Sequence, residues 1–356
     1  MTFDKRQTNI AKGIAALLLL WHHVFYNSAK VHNSIATFFS LGDTPLVCFA
    51  ATFCKVCVAI FCILTGYGLF KSFTSYIDKN HINGKLKLSK QIGFVKNHLV
   101  NVMSKYWFIY IVFGLLGLAI GSSRFGLYEG SFLNGVIDFL GLASLFTTPT
   151  INATWWFMYM IIIFYIIFPI VYKLFSYSPE LVLMLSLLLL VLPRLPFIGE
   201  LQIYQSCFIA GMYISKYNIF ERLSDKMNSN FKRISVCMAG LLAIAYFRLD
   251  MFSTNKYDAF FGVLIILTSF TLLSRIPILN KVLEELGKYS AIIFMSHTFI
   301  YLYYFRDFIY WFKYPVFIFI VITAVSYGVA KLLDWIMNIT RYNKLFEILT
   351  SKKKKA

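Results

Sequence analysis

Apolar runs of near-membrane length recur from one end of this chain to the other. They fall near residues 9–26, 45–70, 100–121, 153–175, 179–198, 201–215, 234–250, 257–275, 287–306 and 314–337. A bilayer core about 30 Å thick needs about 20 apolar residues of helix to cross it. Within hydrocarbon each backbone polar group must be satisfied inside its own segment, so such runs read as helices. The expectation is an all-α polytopic transmembrane bundle of about ten spans. Composition agrees: 59% of the 356 residues are hydrophobic and 14% are charged. A soluble domain carries about a quarter charged residues, so a soluble domain with one anchor is excluded.

Charge then orients the bundle. The net charge of +18 lies largely in the loops between apolar runs, which reads as a topology signal and a contact with anionic membrane lipid, with no nucleic-acid partner. The loop 71–98 holds Lys71, Lys79, Lys85, Lys87, Lys90 and Lys96 against Asp78. The loop 216–233 holds Lys216, Arg222, Lys226, Lys232 and Arg233. Lys5 and Arg6 open the chain and a lysine run closes it. The positive-inside rule puts all four in the cytoplasm, and ten spans with both termini cytoplasmic satisfy it. The stretch 131–148 is apolar but short and glycine-rich, with Asp138 inside it. Counting it as a span would turn one basic pair outward, so 122–152 reads as one extracytoplasmic loop with a re-entrant or surface helix. Residues 1–340 read as a single membrane-embedded domain, followed by a basic cytoplasmic tail at 341–356. The first run ends in Trp21-His22-His23 with no small-residue cleavage pattern, so it reads as a retained span.

Six cysteines, Cys48, Cys54, Cys57, Cys62, Cys207 and Cys237, lie in or beside apolar runs. Cys54 and Cys57 form a CxxC, but no second Cys or His pair stands at ligand spacing, so they read as small apolar residues and no metal site is expected.

The polar residues inside the first span carry more information. Lys12 and His23 are eleven residues apart, nearly three full helical turns, so they share one face about 16 Å apart along the axis. His22 points about 100° away from His23. An ionisable side chain within a membrane is a functional candidate by default, and a histidine can take a proton near neutral pH. The bland alternative is a histidine that hydrogen-bonds a neighbouring helix.

The stretch "KGIAALLLLWHH" (12–23) resembles the start of the acyltransferase 3 family of integral-membrane O-acyltransferases, which has a basic residue, ten intervening positions and a histidine in its first span. Lysine replaces the arginine of many members, keeping the charge and losing the planar fork. Four more stretches resemble the family in its own order: "VAIFCILTGYGLF" (58–70), "FVKNHLVNVMSKYWFIYI" (94–111), "TWWFMYMIIIFYIIFPIV" (154–171) and "LGKYSAIIFMSHTFI" (286–300). In the second of these, Lys96, His98 and Lys105 stand where the family has arginines.

The resemblance implies an enzyme that moves an acyl group, usually acetyl, from acyl-CoA to a hydroxyl of a cell-surface carbohydrate or glycolipid, in the plasma membrane of a bacterium. It implies His23 as general base or as transient acyl carrier. No bound cofactor is expected, acyl-CoA being the donor substrate. The CoA phosphates need cytoplasmic cations, and Lys12, Lys71, Lys96 and Lys105 fall on or near that side. Gly66, Tyr67, Trp156, Ser290 and His297 are expected to line the site.

Each of these has a plainer reading. Thr65-Gly66-Tyr67 either ends a span at the cytoplasmic side or lets a backbone approach closely. Trp155 and Trp156 are interfacial belt residues or a stacking platform for sugar. Ser290 and His297 share a face, and His297 either lines the site or bonds a neighbouring helix. Lys55 snorkels or pairs within the bundle. Asp138, Asp250 and Asp258 are candidates to orient His23. At the level of function, a glycan or lipid transporter is the alternative to the enzyme. It would predict repeat symmetry and paired broken helices, and neither is seen in the sequence.

Overall fold

The apolar runs fold as helices. The computed structural model describes residues 2–27, 35–41, 43–80, 87–227, 229–246, 255–273 and 276–347. Helix α1 spans Lys5–Phe25, its first turn capped by Asp4, which accepts from the Gln7 amide. A short antiparallel pair, β1 (Ser40–Leu41) and β2 (Thr44–Pro45), leads into α2 (Leu46–Cys54) and α3 (Cys57–Asn80). There follow α4 (Leu88–Ala119), α5 (Phe132–Phe139), α6 (Trp156–Tyr177), α7 (Pro179–Val191), α8 (Gly199–Tyr217) and α9 (Ile219–Lys226). The chain ends with α10 (Asn230–Tyr246), α11 (Asp258–Thr271), α12 (Pro277–Thr298), α13 (Arg306–Tyr310), α14 (Pro315–Ile339) and α15 (Tyr342–Glu347).

Four segments, Leu46–Asn80, Leu88–Ala119, Ala153–Tyr177 and Pro315–Ile339, are long and apolar enough to cross a membrane by themselves. Their outer faces expose large apolar side chains, such as Ile166 and Ile170 on α6 and Val316, Phe317 and Ile320 on α14. A bilayer is the solvent such a surface fits, and the chain is an all-α membrane protein. The other stretches expected to span also contain helices, each shorter or more polar than a span that stands alone.

Three expected elements differ. The stretch 179–198 is not one helix, because α7 ends at Val191. Pro193 and Pro196 have no amide hydrogen to continue the ladder, and Leu192 before the first proline is extended. Gln202 holds the resulting break: its Nε2 donates to the Leu189 carbonyl at 2.9 Å and its Oε1 accepts from the Leu195 amide at 2.8 Å. The run 45–70 is interrupted between α2 and α3, then continues to Asn80. Thr65-Gly66-Tyr67 therefore lies inside α3 and ends nothing. The stretch 131–148 is, as expected, not a span: it holds the eight-residue α5 between turns, a loop helix too short to cross. The tail expected from 341 begins with α15, which packs back on α4: Tyr342 Oη donates to the Ser104 carbonyl at 2.9 Å.

Two close helix crossings organise the bundle. In the first, a Cβ on Gly13 of α1 would overlap the Leu283 carbonyl of α12, and one on Gly287 of α12 would overlap the Asn9 carbonyl of α1. In the second, a Cβ on Gly66 of α3 would overlap the Phe208 carbonyl of α8, and one on Gly211 of α8 the Ile63 carbonyl of α3. Small residues at such points let backbones touch, which is how helices associate where lipid offers no hydrophobic drive. Both pairs are parallel. Arg6 bonds Glu284 at 3.2 Å near the start of the first pair and His23 meets His297 near its end. In the second pair Cys57 neighbours Tyr204, and Cys62 neighbours Cys207.

Candidate active site

The α1–α12 crossing delivers two histidines to one point. His23 follows Gly13 by ten residues, and His297 follows Gly287 by ten, so each lies about 15 Å beyond its crossing glycine. Parallel helices keep those distances in step, and the ring centroids stand 4.9 Å apart. His297 is fully buried. Its Nδ1 lies 2.8 Å from the Phe294 carbonyl and 3.2 Å from that of Ile293. A carbonyl only accepts, so Nδ1 carries the hydrogen and Nε2 is the lone-pair nitrogen of the neutral ring. That Nε2 lies 3.4 Å from Thr298 Oγ1. Tyr301 closes one side, its ring 5.9 Å from His297 and 6.4 Å from His23. His23 is half-buried, and among the described residues no hydrogen-bond partner holds its ring nitrogens.

A buried polar chain supports the His297 end. Thr298 Oγ1 pairs with Thr154 Oγ1 at 2.9 Å, and Thr154 Oγ1 donates to Asn152 Oδ1 at 2.8 Å. Asn152 Nδ2 and Trp155 Nε1 both donate to the Met295 carbonyl, at 3.3 Å and 3.0 Å. Just beyond, α12 widens into a π-helical segment over Phe299–Tyr304, a form frequent at functional sites.

His22 does something different from His23. Its Nδ1 lies 2.7 Å from the Ala51 carbonyl on α2. In an unbroken helix that carbonyl would accept from the Lys55 amide. Here the Lys55 amide donates to Thr52 instead, as α2 tightens to its end. His22 satisfies the carbonyl that the break leaves open.

At the other end of α1, Lys12 is half-buried and within electrostatic reach of Lys105 on α4. Lys105 lines a polar cleft of about 710 Å³, together with Lys79, His98, Asn101 and Asp334. Aromatic rings of Tyr76, Phe94 and Phe346 complete its walls.

An acyltransferase domain, as a family model, matches residues 7–334. The chain belongs to the acyltransferase 3 family. It is a membrane acyltransferase, and the matched range covers His23, His297, Lys12 and Lys105. Comparison with curated proteins and with solved structures gives no match.

Within this acyltransferase the candidates from the sequence scatter. Lys12 and Lys105 come together, as do His23 and His297. Lys71 and Tyr67 instead hold the N-terminal segment: Tyr67 Oη donates to the Phe3 carbonyl at 3.0 Å and Lys71 Nζ to the same oxygen at 3.2 Å. Phe3 is buried against Tyr67, Phe220 and Phe270. Lys96 is exposed on α4 and does not line the cleft. Gly66 serves the α3–α8 crossing. Ser290 donates back to the Gly287 carbonyl at 2.9 Å. Trp155 is buried against Tyr106, neither a belt residue nor a platform, and Trp156 stacks on Tyr204 at 6.2 Å.

Of the acids, Asp138 is engaged by Tyr128 Oη and the Ile151 amide within its own loop. Asp258 is buried in the first turn of α11, and Asp250 lies outside the described residues. Asn152, Thr154, Thr298 and Tyr301 escaped the sequence reading. Their one signal was a polar residue next to a residue already suspected, as Thr298 follows His297.

Proposed function

We propose that the protein transfers an acyl group, acetyl in the first instance, from cytoplasmic acyl-CoA to a hydroxyl of a cell-surface or lipid-linked carbohydrate. The observation that carries this reading is the first helix itself. It holds His23 beside His297 at one end and Lys12 beside the Lys105 cleft at the other. The donor and the acceptor of such a reaction lie on opposite sides of a membrane, and the roughly 16 Å of helix between cation and base covers about half of its core. The cleft's lysines suit the CoA phosphates, its rings suit stacking of the base, and Lys12 marks the way inward.

His23 acts in one of two forms. As a general base, its neutral ring takes the acceptor hydroxyl's proton while that oxygen attacks the thioester carbon and CoA thiolate leaves. As an acyl carrier, it attacks the thioester itself and hands the group on as acyl-imidazole. We further propose ten crossings with both termini cytoplasmic, in a bacterial plasma membrane. That topology makes the first and ninth spans parallel, and likewise the second and sixth, which is the sense of both glycine crossings.

The test uses purified protein in detergent or nanodiscs with radiolabelled acetyl-CoA and candidate carbohydrate acceptors. CoA release should depend on the acceptor and vanish in His23→Ala. Substrate movement without CoA consumption would establish a transporter instead. Acid-quench trapping of labelled protein before acceptor is added separates the two forms of the mechanism.

A further inference from the structure

Lys55 is a cation set within an apolar run. It stands at the break between α2 and α3 and is half-buried. Nine residues separate it from Leu46 at the start of α2, about 14 Å along the axis. On the proposed topology this is near the middle of a core about 30 Å thick, where a lysine is costly and functional by default.

The neighbouring contacts fix which way it faces. On α2, the Val47 carbonyl accepts from Trp21 Nε1 at 3.3 Å, and the Ala51 carbonyl lies 2.7 Å from His22 Nδ1. Val47, Ala51 and Lys55 are spaced four apart, so they form one stripe, and that stripe looks at α1. Helical side chains lean toward their own N-terminus. A stem with that lean reaches back over the turn of Ala51, toward the level of His22 and His23. Lys55 and His23 are within electrostatic reach of each other. Among the described residues, no carboxylate and no hydrogen-bond acceptor partners its ammonium.

A half-buried cation within electrostatic reach of a candidate base lacks only the negative charge that acyl transfer creates. We infer that Lys55 is the oxyanion-stabilising group of the acyl-transfer site. The inference rests on the acyltransferase reading with His23 at its centre. When the attacking atom bonds to the thioester carbon, the C=O π pair moves onto the carbonyl oxygen, which becomes an oxyanion. When the intermediate collapses, that pair reforms C=O and the C–S bond breaks, CoA sulfur leaving with the bonding electrons. The proton taken by His23 leaves with it or passes to water. The Lys55 charge stabilises the oxyanion throughout and is unchanged at the end. The same oxyanion occurs in both forms of the mechanism, so the role does not depend on choosing between them.

The helix break is the device that presents this charge. It frees the Ala51 carbonyl for His22, and His22 in turn pins the end of α2 that carries Lys55.

The test compares wild type, Lys55→Met, Lys55→Gln, Lys55→Arg and His23→Ala as full-length purified proteins, with thermal unfolding and size exclusion checked for each. Loss of one oxyanion-stabilising donor lowers kcat by about 100- to 1,000-fold. Lys55→Met and Lys55→Gln should show that loss with KM for acetyl-CoA and acceptor little changed. Lys55→Arg should restore at least about tenfold. Unchanged kcat in whichever neutral variant folds overturns the assignment, as does a defect confined to the acceptor KM, which would make Lys55 a substrate-anchoring cation. If His23→Ala itself keeps activity, the fault lies with the acyl-transfer reading as a whole, whatever Lys55 does.

Discussion

The α1–α12 and α3–α8 pairs use the same packing device, parallel helices whose glycines each sit on the partner's carbonyl. Beyond the glycines they part. Toward their C-terminal ends, α1 and α12 bring His23, His297, Thr298 and Tyr301 together, braced by Asn152 and Thr154. The α3–α8 pair is filled with Cys57, Cys62, Cys207 and Phe208, the last stacked on Phe164 at 4.6 Å. On the proposed function, one crossing sets a reaction geometry and the other sets a scaffold. Close backbone approach is thus a general solution to packing in lipid, and chemistry depends on which side chains stand a few turns further along.

The comparison breaks first at His23. His23→Ala should lower acyl transfer by about 100- to 10,000-fold, the usual contribution of a general base, with the folded yield preserved. His22→Ala should act on stability instead, because it uncaps the Ala51 carbonyl, a loss of about 1–3 kcal/mol. Initial rates per folded molecule, set beside unfolding temperatures, check both. Equal rate losses in the two variants would dissolve the distinction drawn between these neighbours.

The glycines sharpen the comparison next. Gly287→Ala and Gly211→Ala each push a methyl into a partner backbone carbonyl, and overpacking of that kind costs about 1–3 kcal/mol. Both should lower the unfolding temperature. Only Gly287→Ala should also cut kcat per folded molecule, by about tenfold or more, since a shift of about 1 Å between catalytic groups is felt strongly. Equal activity losses from both would mean that the α3–α8 crossing also shapes the site.

How much of this was legible in the sequence follows the range of each contact. The helices were, because apolar periodicity is local. The Lys12–His23 face was, because it needs one helix and its 3.6-residue period. The end of α7 was readable in Pro193 and Pro196, and the length of the apolar run outweighed them. The meeting of His23 with His297 was not, since nothing local joins residues 274 positions apart. The break at Lys55 was not either: no proline or glycine marks it, and His22, on another helix, helps to hold it. Lys71 and Tyr67 looked like site residues because the charge and the turn motif were visible. Their actual partner, the Phe3 carbonyl, lay outside any motif.

The smallest expected effect concerns the brace that the α1–α12 pair has. Asp138 is buried, and its Oδ2 accepts from Tyr128 Oη at 2.6 Å and from the Ile151 amide at 2.9 Å. Ile151 leads directly into Asn152 and Thr154, so this carboxyl steadies the turn that holds the Met295 end of α12. Burial raises the Asp138 carboxyl above its ordinary range, outweighing the hydrogen bonds from Tyr128, Ile151 and Thr150 that favour the charged form. A carboxyl with a higher pKa folded than unfolded binds more protons in the folded state. Stability then falls as pH rises through the window between the unfolded and folded values. Asp138→Asn keeps an oxygen that can accept both donors and removes the ionisation. Its unfolding temperature should therefore lack the decline that wild type shows above the ordinary carboxylate range. Asp138→Ala strands Tyr128 Oη and the Ile151 amide, and should cost about 1–3 kcal/mol at all pH values. Unfolding temperatures measured from about pH 4 to pH 8 separate the three proteins. Parallel profiles for wild type and Asp138→Asn would show that the carboxyl stays charged in the fold. Because the brace reaches α12 and not α8, activity should follow the same order as stability, with Asp138→Ala lowest, while the α3–α8 scaffold is left undisturbed.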